Sequence, residues 1–231
     1  EGKCLSYGKA SPYHPIVDIL KANFEIGEDD DDAKIRDKVT RSLKALGADE
    51  SSTLPYLLEL LSVKDSRIDE IPMSPEGRKI RIIEALSRIV IKGSEFRSLI
   101  LAIEDLHWTD KSSEEAIKLL LEVIPAGRVL VIFTYRPEYV QTWGSRSFHN
   151  QITLNRLSNR DSLAMVYPLL DNEDIEPGLQ RLIVTKTEGV PFFIEEFVRS
   201  LQEIKAIRKE EGRVCLQGDL QSLAVPSTIQ E

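Results

Sequence analysis

The chain has 231 residues, 42% of them hydrophobic, and a formal net charge of -8. That length buries a substantial core, as one larger domain or as a core plus a small subdomain. The acidic balance argues against a general nucleic-acid partner, since phosphate binding needs a basic face, and no apolar run is long enough to span a bilayer.

Cys4-Leu5-Ser6-Tyr7 reads as a short strand, broken by Ser11-Pro12-Tyr13-His14-Pro15. Ile16, Ile19, Leu20 and Phe24 then recur at helical spacing. The acidic run from Glu28 to Asp32 lacks the alternating ligands and central glycine of an EF-hand and reads as a solvated loop. Asp32 is placed to cap a helix carrying Ile35, Val39, Leu43 and Leu46, with Gly47 ending it. Leu54 to Val63 forms another short helix. Ser74-Pro75 is a capping hydroxyl followed by proline at the first helical position. The helix it opens has a buried stripe of Ile82, Ile83, Leu86, Ile89 and Val90, and Gly93 is expected to close it.

Leu99 to Ile103 is a continuous apolar run, the pattern of a buried parallel strand. It ends in Glu104-Asp105, followed by Leu106-His107-Trp108 and by Asp110, which caps a helix containing Ile117, Leu120 and Leu121. Pro125-Ala126-Gly127 turns the chain into a second apolar strand, Val129 to Thr134. Strand, helix and strand at this spacing imply a right-handed crossover and a parallel sheet. Ile152-Thr153-Leu154 is a weaker third strand in this half. After Leu157 the pattern turns helical. Ser158 caps a helix with Leu163, Val166 and Leu169, and a polar turn covers Asp171 to Gly178. A helix from Leu179 to Thr187 follows, then Gly189-Val190-Pro191 and a helix from Phe192 towards Ile207. Glu210-Glu211-Gly212-Arg213 reads as a hairpin turn before Val214-Cys215-Leu216. No internal repeat is visible.

Chemistry concentrates at Glu104 and Asp105. The carboxyl end of a parallel strand is where open α/β sheets place ligands. Two carboxylates there suit a magnesium-nucleotide site, one holding the metal and the other polarising a water. Their bland alternative is a solvated strand end with a helix cap. His14 and His107 lie beside aromatic or apolar residues and read as packed, hydrogen-bonded imidazoles; Trp108 reads as a core anchor. No Gly-x-Ser-x-Gly or Cys/His arrangement supports a nucleophile. Cys4 and Cys215 lie far apart, and with three histidines they give no metal-ligand spacing. They read as structural cysteines in a reducing cytosol, so a cytoplasmic location is expected. No charged-apolar-small leader opens the chain. Glu1 is not a start methionine, and a segment of a longer protein is expected.

Taken together, Glu104-Asp105-Leu106-His107-Trp108, Thr134-Tyr135-Arg136 and Gly189-Val190-Pro191-Phe192-Phe193-Ile194-Glu195-Glu196 resemble the STAND branch of the P-loop, AAA-like ATPases. The likeness is to ATPase modules attached to adenylate/guanylate cyclase, kinase or LuxR-type regulatory domains. Pro12 to Ile16 and Val225-Pro226-Ser227-Thr228-Ile229 are similar to further landmarks of that family. The resemblance implies that Glu104 is the Walker B magnesium carboxylate, one methylene longer than the usual Asp. It implies that Asp105 is the water-activating acid, whose shorter reach than the frequent Glu suits a slow switch. Thr134 would lie at the nucleotide, Arg136 would sense its terminal phosphate, and Gly189 and Pro191 would approach the adenine. The alternatives are a surface salt bridge for Arg136 and a plain helix boundary for Gly189 and Pro191.

The family's Gly-x-x-x-x-Gly-Lys-Ser/Thr phosphate loop is absent from this sequence. Gly2-Lys3 and Gly8-Lys9 have neither the upstream glycine nor the following hydroxyl. In the family that loop precedes the strand that here begins near Cys4. The expected fold is α/β, a P-loop NTPase-like parallel sheet flanked by helices with a C-terminal helical lid. Residues 1–157 would be the nucleotide-binding core lacking its first strand and phosphate loop. Residues 158–208 would be the lid, and 209–231 the start of a following hairpin or linker. The implied partners are ATP or ADP with magnesium and an attached output domain. Removing the phosphate-loop strand would leave edges beside the Thr134 and Ile152 strands that invite self-association. The alternative function is an interaction scaffold that keeps the fold without its chemistry.

Overall fold

The computed structural model describes residues 1–6, 12–64, 66–144, 146–210 and 212–217. Tyr7, Gly8-Lys9, Ser11 and the landmark from Val225 to Ile229 lie outside the described residues. The chain divides into two compact units, Glu1–Arg146 and Ser147–Glu231.

The first unit contains three parallel strands in the order β1 (Gly2–Lys3), β2 (Leu99–Glu104), β3 (Val129–Phe133). The opening strand is shorter and earlier than Cys4 to Tyr7; Cys4 extends it by one bond, its N–H donating to the Glu104 carbonyl at 3.0 Å. Between β1 and β2 lie α1 (His14–Asn23), α2 (Asp32–Ala45), α3 (Leu54–Leu60) and α4 (Pro75–Phe96). They share an apolar core built on Leu20, Val39, Leu43, Leu57, Leu58, Ile83 and Leu86. The cap of α2 is Asp31 rather than Asp32, its carboxylate accepting from the Lys34 N–H. Ser74 caps α4 as expected. Gly93 does not close α4, which continues to Phe96. The Arg128 guanidinium donates to the Ser94 and Glu95 carbonyls, satisfying acceptors that the helix end leaves free.

Asp110 caps α5 (Lys111–Val123), and this helix returns the chain to β3. The register sets Ile100 beside Leu130 and Ala102 beside Ile132, so these four residues share one sheet face. The opposite face packs Ile103, Val129, Val131 and Phe133 with Ile117, Leu121 and Trp143. The first face is bare: Ile100 is 67% exposed, Leu130 56% and Ile132 44%. An all-parallel sheet is ordinarily covered on both faces, which is why its strands are apolar throughout. Only β2 neighbours β3, so the far edge of β3 is open among the described residues.

The second unit holds α6 (Asn159–Leu170), α7 (Pro177–Thr187), α8 (Pro191–Glu203) and the antiparallel hairpin β4 (Ile207–Glu210) and β5 (Arg213–Leu216). Ser158 caps α6. Leu179, Ile183, Ile194, Phe197 and Leu201 form the core, joined by Val214 from β5. Ile175 bridges to Val214 inside the stretch read as a polar turn. The hairpin thus packs on the helices, and the boundary drawn at 208/209 falls within β4. Ile152-Thr153-Leu154 is not a strand: no ladder partner pairs with it among the described residues, and Ile152 and Leu154 are 82% and 91% exposed. Alternating propensity makes a strand only where a neighbouring strand accepts its hydrogen bonds.

Candidate functional site

Glu104 ends β2, and its carboxylate is half-buried without an ion-pair partner among the described residues. Asp105 adopts left-handed backbone geometry, φ 55°, a conformation Asp tolerates better than most residues. Two contacts from the end of β3 hold it there. The Asp105 N–H donates to the Thr134 hydroxyl at 3.0 Å, and the Leu106 N–H donates to the Thr134 carbonyl at 2.8 Å. Thr134 therefore fixes the backbone of the acidic pair. This abrupt turn sends the chain into a 3-10 turn over Leu106–Trp108 and then into α5.

Lys3, in register with Glu104, brings its ammonium 3.9 Å from the Asp105 carboxylate. Nothing at this spacing announces Lys3 in the sequence, because β1 meets β2 only in the folded sheet. Arg136, two residues after Thr134, is exposed and makes no ion pair among the described residues. Its guanidinium carbon lies 5.9 Å from the centre of the Trp108 ring, a cation–π distance. The surface salt bridge that would explain Arg136 structurally is thus not formed among the described residues. Trp108 is partly buried and also faces His107, ring centroids 5.1 Å apart.

His107 differs from the expected hydrogen-bonded imidazole: both ring nitrogens are buried with no hydrogen-bond partner among the described residues. His14 Nδ1 lies 3.4 Å from the Asp18 carboxylate but is misaligned for a hydrogen bond. Cys4 is buried. Burial pushes its thiol up to about 11, with the nearby Asp110 and Asp105 carboxylates adding to the rise against a lowering hydrogen bond from Thr109. A thiol so held is inert, which agrees with a structural role.

Glu104 and Asp105 together offer hard oxygen ligands at a solvent-reachable strand end. That donor set fits magnesium, which takes one or two carboxylates and completes its shell with water and phosphate oxygens. No group of three or more potential metal ligands occurs among the described residues.

Gly189 and Pro191 belong to the second unit. Gly189 has φ +73°, and a Cβ there would lie 2.3 Å from the Leu157 carbonyl oxygen. The Leu157 N–H donates to the Gly189 carbonyl at 2.8 Å, and an Arg156–Glu188 ion pair flanks this contact. Local packing alone requires a glycine here. Pro191 is the first residue of α8, exposed, following Val190 at the cap.

Comparison with known proteins adds a family to this geometry. The AAA ATPase domain family matches residues 1–132, and a domain of unknown function, DUF8739, matches residues 158–215. Uncharacterized protein R02095 of Rhizobium meliloti (strain 1021) is 23% identical over 203 residues, covering 84% of this chain. The match spans 19% of that relative's own length. No solved structure matches. With more than half of its length matched, from β1 through most of β3, the chain belongs to the AAA ATPase domain family.

Proposed function

We propose that this chain is part of an ATP-dependent regulatory switch of the STAND type, coupling nucleotide state to an attached signalling output domain such as a cyclase, kinase or transcriptional regulator. The observation that carries the reading is one corner of the sheet. Glu104 and Asp105 lie at the end of β2 and Arg136 just past the end of its parallel neighbour β3, the guanidinium without a carboxylate partner among the described residues. Carboxylates for a metal beside a guanidinium for an anion form the complement of a magnesium-bound phosphate chain.

In this reading Glu104 is the metal ligand, and magnesium, when bound, neutralises charge on the terminal phosphates. Asp105 accepts the hydrogen bond of the attacking water at its carboxylate and takes up its proton. Thr134 acts through the Asp105 backbone, holding that carboxylate at the strand end. Arg136 donates to the terminal phosphate, so it separates ATP from ADP. Gly189 and Pro191 are assigned to the adenine end, and the second unit to the lid that transmits nucleotide state. ATP, ADP and magnesium are the proposed ligands of the full-length protein.

A scaffold that keeps the fold without nucleotide chemistry is the second reading, favoured by the Lys3 ammonium 3.9 Å from the Asp105 carboxylate, which already engages one of the two acids. Titration of ATP and ADP against the full-length protein and its Arg136→Ala variant separates the two. The switch requires tighter binding of ATP than of ADP by wild type, reduced about tenfold in the variant, a typical coupling energy for one such contact. Equal loss of both nucleotides makes Arg136 a structural residue. Magnesium-independent binding, or none, favours the scaffold.

A further inference from the structure

The turn that carries Arg136 is not a free loop. The Tyr139 N–H donates to the Arg136 carbonyl at 3.0 Å, closing a turn with Pro137 at its second position. Beyond it, Tyr139 meets Tyr135 in a tilted ring pair, and Trp143 buries itself against Phe133. Two hydroxyls from this segment then meet one carboxylate on α5. Tyr139 Oη donates to Glu114 Oε1 at 3.3 Å, and Thr142 Oγ1 donates to the same oxygen at 2.9 Å. Burial, then the Glu114 carboxylate, pushes the Tyr139 phenol far up, so it stays a donor. Glu114 is half-buried and makes no ion pair among the described residues. Its own N–H donates to the carbonyl of Asp110, the residue that caps α5 five positions after Asp105.

We propose that Glu114 is a positioning residue for Arg136. It anchors the turn bearing the guanidinium to the first turn of the helix that issues from the acidic pair. Both sides of the phosphate-facing corner are then referenced to one rigid element. The acidic pair reaches α5 through five residues of chain, and Arg136 reaches it through two hydroxyls and one carboxylate. The proposal rests on the reading that Arg136 meets the terminal phosphate.

The test is nucleotide titration of the full-length protein with ATP and with ADP. Wild type, Arg136→Ala, Glu114→Ala, Glu114→Gln and the Arg136→Ala/Glu114→Ala pair are compared. Glu114→Ala is expected to lose about five- to tenfold of the preference for ATP, in keeping with hydrogen bonds to a charged group, while ADP affinity is unchanged. Glu114→Gln keeps the acceptor oxygen and is expected to restore most of that preference. The pair of substitutions should be no worse than Arg136→Ala alone. A Tyr139→Phe/Thr142→Val variant removes both donors and keeps the side-chain shapes; it should show the same five- to tenfold loss of ATP preference and stands in for Glu114→Ala where that variant folds poorly. Undiminished ATP preference in Glu114→Ala and in Tyr139→Phe/Thr142→Val overturns the proposal, as does an equal loss when Arg136 is already absent. A wild type with no Arg136-dependent preference refutes the phosphate-sensor reading itself, and the positioning role falls with it.

Discussion

The two motif clusters of this chain differ in how much of their chemistry local structure already uses. Around Gly189 everything is employed: the positive φ, the close approach of the Leu157 carbonyl and the returned hydrogen bond leave no property unexplained. Around Glu104 and Arg136 the opposite holds. A carboxylate and a guanidinium stand at one sheet corner without neutralising each other or pairing elsewhere among the described residues. Charges left unpaired at a strand end point to a ligand more strongly than a glycine in a familiar pattern does.

Four experiments sharpen or break that contrast. The largest effect is expected at Asp105. In the full-length protein Asp105→Asn should slow phosphate release about a hundredfold or more while sparing nucleotide binding, because it removes stabilisation needed only in the transition state. Wild-type turnover would return Asp105 to a purely structural role. Next is Gly189→Ala, which should destabilise this chain by about 2 kcal/mol or more, read as a lower midpoint in urea. An unchanged midpoint would leave the glycine unexplained by packing. Arg136→Ala should move stability by less than about 1 kcal/mol, the worth of an exposed cation–π contact. A larger loss would show that its charge is already in structural use.

The last experiment concerns pH, and its effect is confined to the alkaline range. Burial pushes the Cys4 thiol up from its ordinary 9.0 to about 11 in the folded state. A thiol raised on folding contributes stability below its unfolded pKa and loses it as pH rises through the folded one. Stability should therefore decline between about pH 9 and pH 11, and Cys4→Ala should flatten that decline; an unflattened curve assigns it to other groups.

The capped helices were legible in the sequence because their signals are local. Ser74, Asp110 and Ser158 each accept a backbone N–H three residues on. The apolar strands Leu99–Glu104 and Val129–Phe133 and the acidic pair between them were legible for the same reason. Errors arose where a distant residue decides. Gly93 fails to end α4 because Arg128, far along the chain, covers the last carbonyls. Ile152 and Leu154 have strand periodicity but no neighbour to pair with. Lys3, the Trp108 stack under Arg136 and the Glu114 anchor depend on side chains meeting across elements. No spacing rule registers such meetings. His107 looked satisfied because its neighbours are apolar, yet those same neighbours offer its nitrogens nothing.

The two-residue strand β1 has a kinetic consequence. Gly2 pairs with Ile103 and Lys3 with Glu104, with α1 to α4 intervening. Closing a loop of that length costs about 4 kcal/mol of chain entropy. Two residues of ladder return little against that cost, whereas β2, α5 and β3 are contiguous and repay their closure at once. Folding should therefore nucleate on the β2–α5–β3 crossover, with β1 docking after the intervening helices have condensed. Lys3 then reaches Asp105 among the last events, so the acidic corner spends the early part of folding as a bare pair of carboxylates.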